Sequence, residues 1–388
     1  MLLRRPNLFF LQCRERPAFR LEDLLEGGSG VVAHDEWLAL APHLGREVAL
    51  EDGDVGVFAA VTPGQARSHE ELSLRFGTAR IDRLVDAGLL IGDHPEHEDL
   101  RTREQALDAV DWWGPAALAQ VFGRWQDVDV AADAPRLGGD RWQEMVAMRG
   151  APPPETTELR PLSNSLPLPP PVATALDQIL QARSTCRNFA ADALPLVDLA
   201  SVLHRVFGAQ AVHTLAPQAV ALKKNSPSGG GLHPVEAYVL ARRIDGLAPG
   251  LYHYRCVAHA LEPLQLIDAD AIAPLASELV AGQAWFATAP VLVLMAARFQ
   301  RNFWKYRQHA KAWRVVQLDA GHLSQTFQLA ATELGYGAFV TAAINDACAE
   351  RLFELDGLST GAIAVCGLGR RAAETTTIEF DPLGKAVR

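Results

Sequence analysis

The chain has 388 residues, 49% of them apolar and 21% charged, with a formal net charge of −10; this excludes a disordered chain and calls for more than one hydrophobic core. Its five cysteines (Cys13, Cys186, Cys256, Cys348 and Cys366) are far apart and form no Cys-x-x-Cys, which argues against a disulfide framework and a cysteine-built metal site. No apolar run is long enough to span a membrane, and the N-terminal apolar stretch is too short for a secretory signal, so the chain reads as cytoplasmic.

The charge is uneven. Residues 1–150 hold 16 Arg, no Lys and 26 Asp or Glu, a net of 16 − 26 = −10, and the remainder is neutral. This part opens with a strand-like "NLFFLQCRE". It continues with "SHEELSLRFGTARIDRLVDAGLLIGD" from Ser68 to Asp93. Leu72, Phe76, Ile81, Leu84 and Val85 keep helical spacing across a break at Gly77, Gly88 ends the second helix, and "LLI" follows as a short strand. Helix, turn, helix, strand is a winged-helix pattern. Its acidity opposes the usual nucleic-acid role, because phosphate binding needs Lys and Arg. Two readings stay open: a docking module for a peptide, and a helical cap on the second domain. "DHPEHED" from Asp93 to Asp99 places His94 and His97 among carboxylates, and it reads as a solvated loop rather than a metal site. Trp112, Trp113, Trp125 and Trp142 read as packing residues.

Eight prolines fall within residues 151–171, "APPPETTELRPLSNSLPLPPP". Clustered prolines favour extended chain and mark a linker. Residues 172–388 then alternate helix-like segments (172–183, 195–207, 311–334) with strand-like ones (235–242, 289–299, 338–343, 361–367). A hairpin over 250–265 joins them, and the whole predicts an α+β domain with a sheet between helices. Trp313, Val316, Ala320, Leu323, Phe327, Ala330 and Leu334 repeat at spacings of three and four, with Val315, Leu318 and Leu329 off that seam. Such a helix is either a domain's central helix or part of a subunit interface.

Three stretches carry chemistry. "RSTCRNF" places Arg183 and Arg187 around Thr185, two guanidinium forks and a hydroxyl suited to one phosphate. "NSPSGGGLHP" sets Gly229, Gly230 and Gly231 after Pro227 and Ser228, where a ligand can approach the backbone closely. "CGLGRR" runs a buried strand into Gly-x-Gly and the basic Arg370 and Arg371. His233, in a His-Pro step, reads as structural.

With these segments the chain resembles the nitroreductase-fold flavoproteins, and within them the SagB-type and McbC-type thiazole/oxazole dehydrogenases of peptide maturation. The resemblance runs from about Arg183 to Arg371, and "PSGGGLHPVEAYV" is its most specific part. It implies FMN as cofactor, with Arg183, Thr185, Arg187 and Arg370 (or Arg371 in its place) at the phosphate and Pro227, Ser228, Gly229 and Gly230 against the ring. Ala342 and Ala343 of "FVTAAIND" would lie by the flavin N5 edge, where the family carries small residues. Ser184 stands where a second Arg is usual, and Thr185 replaces Ser but keeps the hydroxyl. "DAGHLSQTFQLAATELGYG" implies the long helix that pairs two subunits in a homodimer. The Lys-Tyr pair assigned to proton abstraction in the azoline dehydrogenases corresponds to Lys305 and Tyr306 of "FWKYRQHAKAW".

The expectation is an N-terminal winged-helix-like domain over 1–150, a proline-rich linker over 151–171, and an FMN-dependent nitroreductase-like domain over 172–388. It would oxidise an azoline in a ribosomally made precursor peptide, with a cyclodehydratase as partner and no metal, nucleic acid or membrane. The alternatives are a flavin reductase of dehydroamino acids, nitroaromatics or quinones, and a non-enzymatic winged-helix scaffold with a degenerate flavin domain.

Overall fold

The computed structural model describes residues 1–133, 142–157 and 159–387. Residues 134–141, within the expected 1–150 domain, and Glu158, within the linker, lie outside the described residues. The chain forms two compact units. The first comprises Met1–Arg124, Arg298–Arg314 and Asp356–Thr360, and the second comprises Trp125–Ala297, Val315–Leu355 and Gly361–Arg388.

In the first unit the helices His69–Phe76 and Thr78–Asp86 meet at Gly77, with Ser68 accepting the Glu71 N–H at 3.1 Å as N-cap. The capping hydroxyl satisfies an amide that the first helical turn leaves orphaned. A strand at Leu2–Arg4 pairs antiparallel with Arg67–Ser68 on one side and Ile91–Gly92 on the other. Leu3, Leu72, Ile81, Leu84, Leu89 and Leu90 close the core between them. A second antiparallel sheet runs Phe10–Phe19, Val31–Ala41, Arg46–Leu50. The buried Asp54 carboxylate accepts Arg83 at 2.8 Å through both oxygens and lies 3.2 Å from Arg80. Two arginines of the second helix are thereby spent inside the unit. His97 does not sit in a solvated loop: it is buried, and its Nδ1 accepts the Gly92 N–H at 2.8 Å.

The second unit is built on a six-stranded sheet in the order Ala260–Leu266, Gly250–Arg255, Val235–Ala241, Val291–Arg298, Thr360–Gly369, Gly337–Thr341. It is an α+β domain. "VLVLMAA" in the middle is almost wholly buried, as a central strand covered on both faces must be. Its neighbour pairs antiparallel from Val235↔Ala297 to Ala241↔Val291. The helices at 175–182, 196–207 and 310–333, and the four strands, fall where the sequence periodicity places them. The helix Ala310–Glu333 buries Val316, Ala320, Leu323, Phe327 and Ala330 of its seam, while Leu318 stays 55% exposed. The sequence gives no signal for a two-stranded ribbon at Ala211–Ala216 and Ala219–Lys223, which is largely solvent-facing. The described part of the proline-rich segment is exposed throughout and forms neither strand nor α-helix, with several bends and a single turn at Leu162–Asn164. Of the four tryptophans read as packing residues, Trp112 is buried, but Trp142 leaves 70% of its surface exposed.

Across three strands, His253 bonds Glu236 at 3.1 Å and Glu262 at 3.4 Å. The Glu236 hydrogen bond raises its pKa from 6.5 against the opposing effect of burial, and Glu262 adds to the rise. A raised folded-state value makes this stabilisation complete below the unfolded value of about 6.5, and it is lost as pH rises through the higher folded value. His253→Gln should therefore lower the unfolding free energy more at about pH 6 than at about pH 9 by urea denaturation. A pH-independent loss would show that packing against Tyr238, rather than charge, is what the histidine supplies.

Candidate functional site

The segment Arg183–Phe189 leaves the helix Ala175–Ala182 and threads along the sheet edge. Thr185 bridges Ala338 in parallel, the Cys186 N–H donates to the Ala338 carbonyl at 2.9 Å, and the Ala190 N–H donates to the Arg370 carbonyl at 2.9 Å. Gly337 permits this approach, since a Cβ there would lie 2.6 Å from the Cys186 sulfur. The backbones of the two arginine-bearing motifs are thus joined at one end of the paired strands Gly337–Thr341 and Thr360–Gly369.

Their guanidinium groups have different fates. Arg371 is almost buried, ion-paired with Glu379 and donating to the Ser184 carbonyl at 2.7 Å and hydroxyl at 2.9 Å. Arg183 donates to the neutral Gln328 at 2.9 Å, and the Arg187 guanidinium lies 5.9 Å from the centre of the Phe286 ring. Arg370 is exposed and makes no side-chain hydrogen bond or ion pair among the described residues. Among the described residues these three cations have no carboxylate partner, which leaves their charges available to an anion.

Glu379 holds this segment in shape. Its carboxylate accepts the N–H groups of Arg187 and Asn188 and the Asn188 side-chain amide. Burial works against its charge, but these donors and the Arg371 charge hold its pKa below the usual value. Asn188 in turn accepts from Thr376 and Thr377 N–H at 2.8 and 2.9 Å.

The glycine turn lies against the long helix. The Ser228 hydroxyl donates to Asp319 at 2.5 Å and accepts the His233 N–H at 2.8 Å, and the Gly229 N–H donates to Asp319 at 3.2 Å. Asp319 is buried, and burial pushes its pKa up despite these two donors. Each glycine has an intramolecular reason. A Cβ on Gly229 would meet Val315 at 2.2 Å, while Gly230 and Gly231 have φ of 66° and 67°. Close approach and left-handed backbone are the two things only glycine supplies without cost. The Ser228 hydroxyl, in the turn that the resemblance sets against the ring, is directed at Asp319.

Beyond Thr341, Ala342 is exposed, and the Ala343 carbonyl accepts from Gln283 at 2.6 Å. Gln283 is buried and also donates to the Val280 carbonyl at 2.8 Å, which fixes the loop. Asp319 and Gln328 are 328 − 319 = 9 residues apart on one helix, about 14 Å along its axis. From the Thr185 bridge at Ala338 to Ala342 is about 13 Å of strand. The cation-bearing segment meets the edge strand at Ala338, and the small-residue loop lies further along that strand. The cation-bearing end suits an anionic group such as the phosphate of FMN.

Lys305 and Tyr306 belong to the first unit, at the end of the helix Phe299–Tyr306, with the Lys305 ammonium 5.5 Å from the centre of the Tyr306 ring. An open cleft of about 370 Å³ in the second unit, lined by Asp127, Asp129, Glu278 and Asn345 among others, contains none of the sequence-predicted residues. Its carboxylates make it unsuited to a phosphate. The supporting residues Asp319, Gln283, Gln328 and Glu379 were not singled out in the sequence. Only Asp319 leaves a trace there, as a carboxylate beside an apolar helical seam.

Residues 180–370 match the family described as the nitroreductase family. This segment is a nitroreductase-family domain. The chain is 28% identical over 171 residues to MJ1384 of Methanocaldococcus jannaschii, a protein named a nitroreductase, covering 44% of this chain and 80% of that protein. It is 31% identical over 144 residues to the trifolitoxin-processing protein TfxB of Rhizobium leguminosarum bv. trifolii, covering 35% of this chain and 36% of that one. Among solved structures, a protein of the nitroreductase type from Anabaena variabilis is similar at 30% identity and a TM-score of 0.40, over 44% of this chain and 34% of that one. A chain of the Escherichia coli microcin synthetase McbBCD complex is similar at 18% identity and a TM-score of 0.47, over 68% and 97%. Both scores are low, and the family match carries the assignment. Its nitroreductase-like fold agrees with the sequence expectation.

Gly229→Ala tests the turn. The position is not left-handed, so the new methyl's only fault is its clash with Val315, which should cost about 1–3 kcal/mol. Combining it with Val315→Ala should restore most of the loss in a denaturation titration; no restoration would place the strain elsewhere in the turn.

Proposed function

We propose that this protein is an FMN-dependent dehydrogenase that matures a ribosomally synthesised peptide by oxidising an azoline to a thiazole or oxazole. The cofactor part rests on one observation, the three guanidinium groups of Arg183, Arg187 and Arg370 that have no carboxylate partner among the described residues, while Arg371 is paired with Glu379. The peptide part is supported by the 31% identity to a protein named for trifolitoxin processing.

In this reading Arg183, Arg187 and Arg370, with the Thr185 hydroxyl, hold the FMN phosphate. The Pro227–Gly230 turn and the Ala342–Ala343 loop flank the ring. The chemistry FMN supplies when bound is acceptance of a hydride from one azoline ring carbon, leaving the proton on the neighbouring carbon for a protein base as the bond between them becomes double. Lys305 and Tyr306 receive that proton, a role worth about 10²–10⁴ in rate. The acidic residues of 1–150 dock the precursor, with no nucleic acid involved, since Arg80 and Arg83 are engaged by Asp54. A cyclodehydratase supplies the azoline, and two copies of the chain pair in the cytoplasm.

The archaeal relative, covered over 80% of its length and named a nitroreductase, favours a second reading. There the same cofactor reduces a nitroaromatic, quinone or dehydroamino acid, and the Lys-Tyr pair is not needed.

The purified protein should show a flavin absorption spectrum, and heat should release FMN. Arg370→Ala should weaken FMN binding about tenfold or more, the scale of one lost charge-assisted contact. A colourless protein that FMN does not reconstitute would remove both enzymatic readings and leave the scaffold. Lys305→Ala and Tyr306→Phe should keep bound flavin and lose thiazoline oxidation. Nicotinamide-driven nitroaromatic reduction that survives in these variants, with no thiazoline oxidation in the wild type, would favour the reductase.

A further inference from the structure

The helix Phe299–Tyr306 has 8 residues, too few to be stable alone, so its orientation is set by what it packs on. Its inward face is Phe299 and Phe303, both fully buried. Trp112, from the N-terminal stretch of the same unit, lies across both, with ring centres 4.7 and 4.8 Å away. Trp313 completes the cluster at 6.0 Å from Trp112 and 5.7 Å from Phe299. The Trp112 indole N–H donates to the Leu358 carbonyl at 3.1 Å, and the Phe299 N–H donates to the Ser359 carbonyl at 2.8 Å.

The other end of this helix is held by the residue before that tryptophan. Its carbonyl accepts the Gln308 N–H at 2.9 Å, and the Asp111 carboxylate lies 3.3 Å from the Arg307 guanidinium. Asp111 and Gln308 have φ of 58° and 45°. Left-handed backbone at non-glycine residues is disfavoured and persists only where surrounding contacts impose it. Here two such residues bond each other, directly after Tyr306. Packing at Phe299 and Phe303 fixes the helix about its own axis, and the Asp111 contacts fix its end. The direction in which Lys305 and Tyr306 leave the helix depends on both.

We propose that Asp111 and Trp112 are positioning residues for the Lys305–Tyr306 pair, so that the N-terminal part of the chain places the proton acceptors as well as docking the substrate. The proposal rests on Lys305 and Tyr306 acting as the base.

The test uses the full-length FMN-loaded protein, a synthetic thiazoline-containing peptide as probe and dioxygen as final oxidant. Lys305→Ala should lower kcat about 100-fold, and Trp112→Leu about 10-fold or more, since small displacements of a catalytic group are costly. Flavin content and KM should not change. The double variant should be about as slow as Lys305→Ala alone, because two residues acting through one another are non-additive. Amide hydrogen exchange over residues 299–309 should accelerate about tenfold or more in Trp112→Leu. Trp112→Phe keeps an aromatic packer and loses only the Leu358 bond; it should show a smaller loss of kcat in the same direction and carries the test if the leucine variant does not fold. Wild-type kcat in the Trp112 variants beside an impaired Lys305→Ala overturns the positioning role alone. Effects that multiply in the double variant overturn it too. A fully active Lys305→Ala removes the base, and the positioning role falls with it.

Discussion

One carboxylate decides which arginines of the nitroreductase-like domain are structural. Glu379 neutralises Arg371 and accepts the amides of Arg187 and Asn188, so the motif around Thr185 is held without using the side chains of Arg183, Arg187 or Arg370. A free carboxylate among four arginines would compete with a ligand phosphate. A carboxylate already carrying several donors does not, because its lone pairs are filled and its charge is spent on Arg371. Desolvating such a group is tolerable only when every partner is present, and here they come from both ends of the domain.

The glycine turn is governed by the same logic with the opposite sign of compensation. Asp319 is buried with two donors and no cation bonded to it among the described residues. Its raised pKa follows from that poverty of partners. Glu379 and Asp319 are both largely buried carboxylates and differ in what surrounds them, so one stays firmly ionised while the other is pulled towards its neutral form. The turn that Asp319 shapes is accordingly the more sensitive of the two elements to changes in packing, since any side chain at Gly229 would run into Val315.

Regular elements were legible in the sequence where one period dominated. "APVLVLMAARF" reads as a buried strand because it has no polar face, and the helix Ala310–Glu333 because its seam repeats without a break. The ribbon at 211–223 was not legible, since most of its residues face solvent and no burial pattern is imposed on them. Candidate site residues divide in the same way. Arg183, Thr185, Arg187 and Arg370 sit in compact motifs. Glu379 lies 379 − 187 = 192 residues from the amide it caps, in a polar tail that carries no periodicity. The choice between Arg370 and Arg371 could not be read from adjacent identical letters. What the structure adds is that Arg371 is the one that reaches Ser184 and Glu379, which is a matter of tertiary packing.

Trp112 shows the limit most directly. In the sequence it is one of four irregularly spaced tryptophans; in the structure Trp142 is exposed, while Trp112 is the centre of an aromatic cluster whose other members come from Phe299–Trp313. The compact unit formed by residues 1–124 therefore includes Arg298–Arg314 and Asp356–Thr360. A fragment ending at residue 150 would expose Trp112 without Phe299, Phe303 or Trp313, and burying an aromatic ring of this size is worth about 1.5–3 kcal/mol or more. The docking role proposed for the N-terminal part is for that reason to be measured on the whole chain, because the segment that completes its core, Arg298–Arg314, also carries Lys305 and Tyr306.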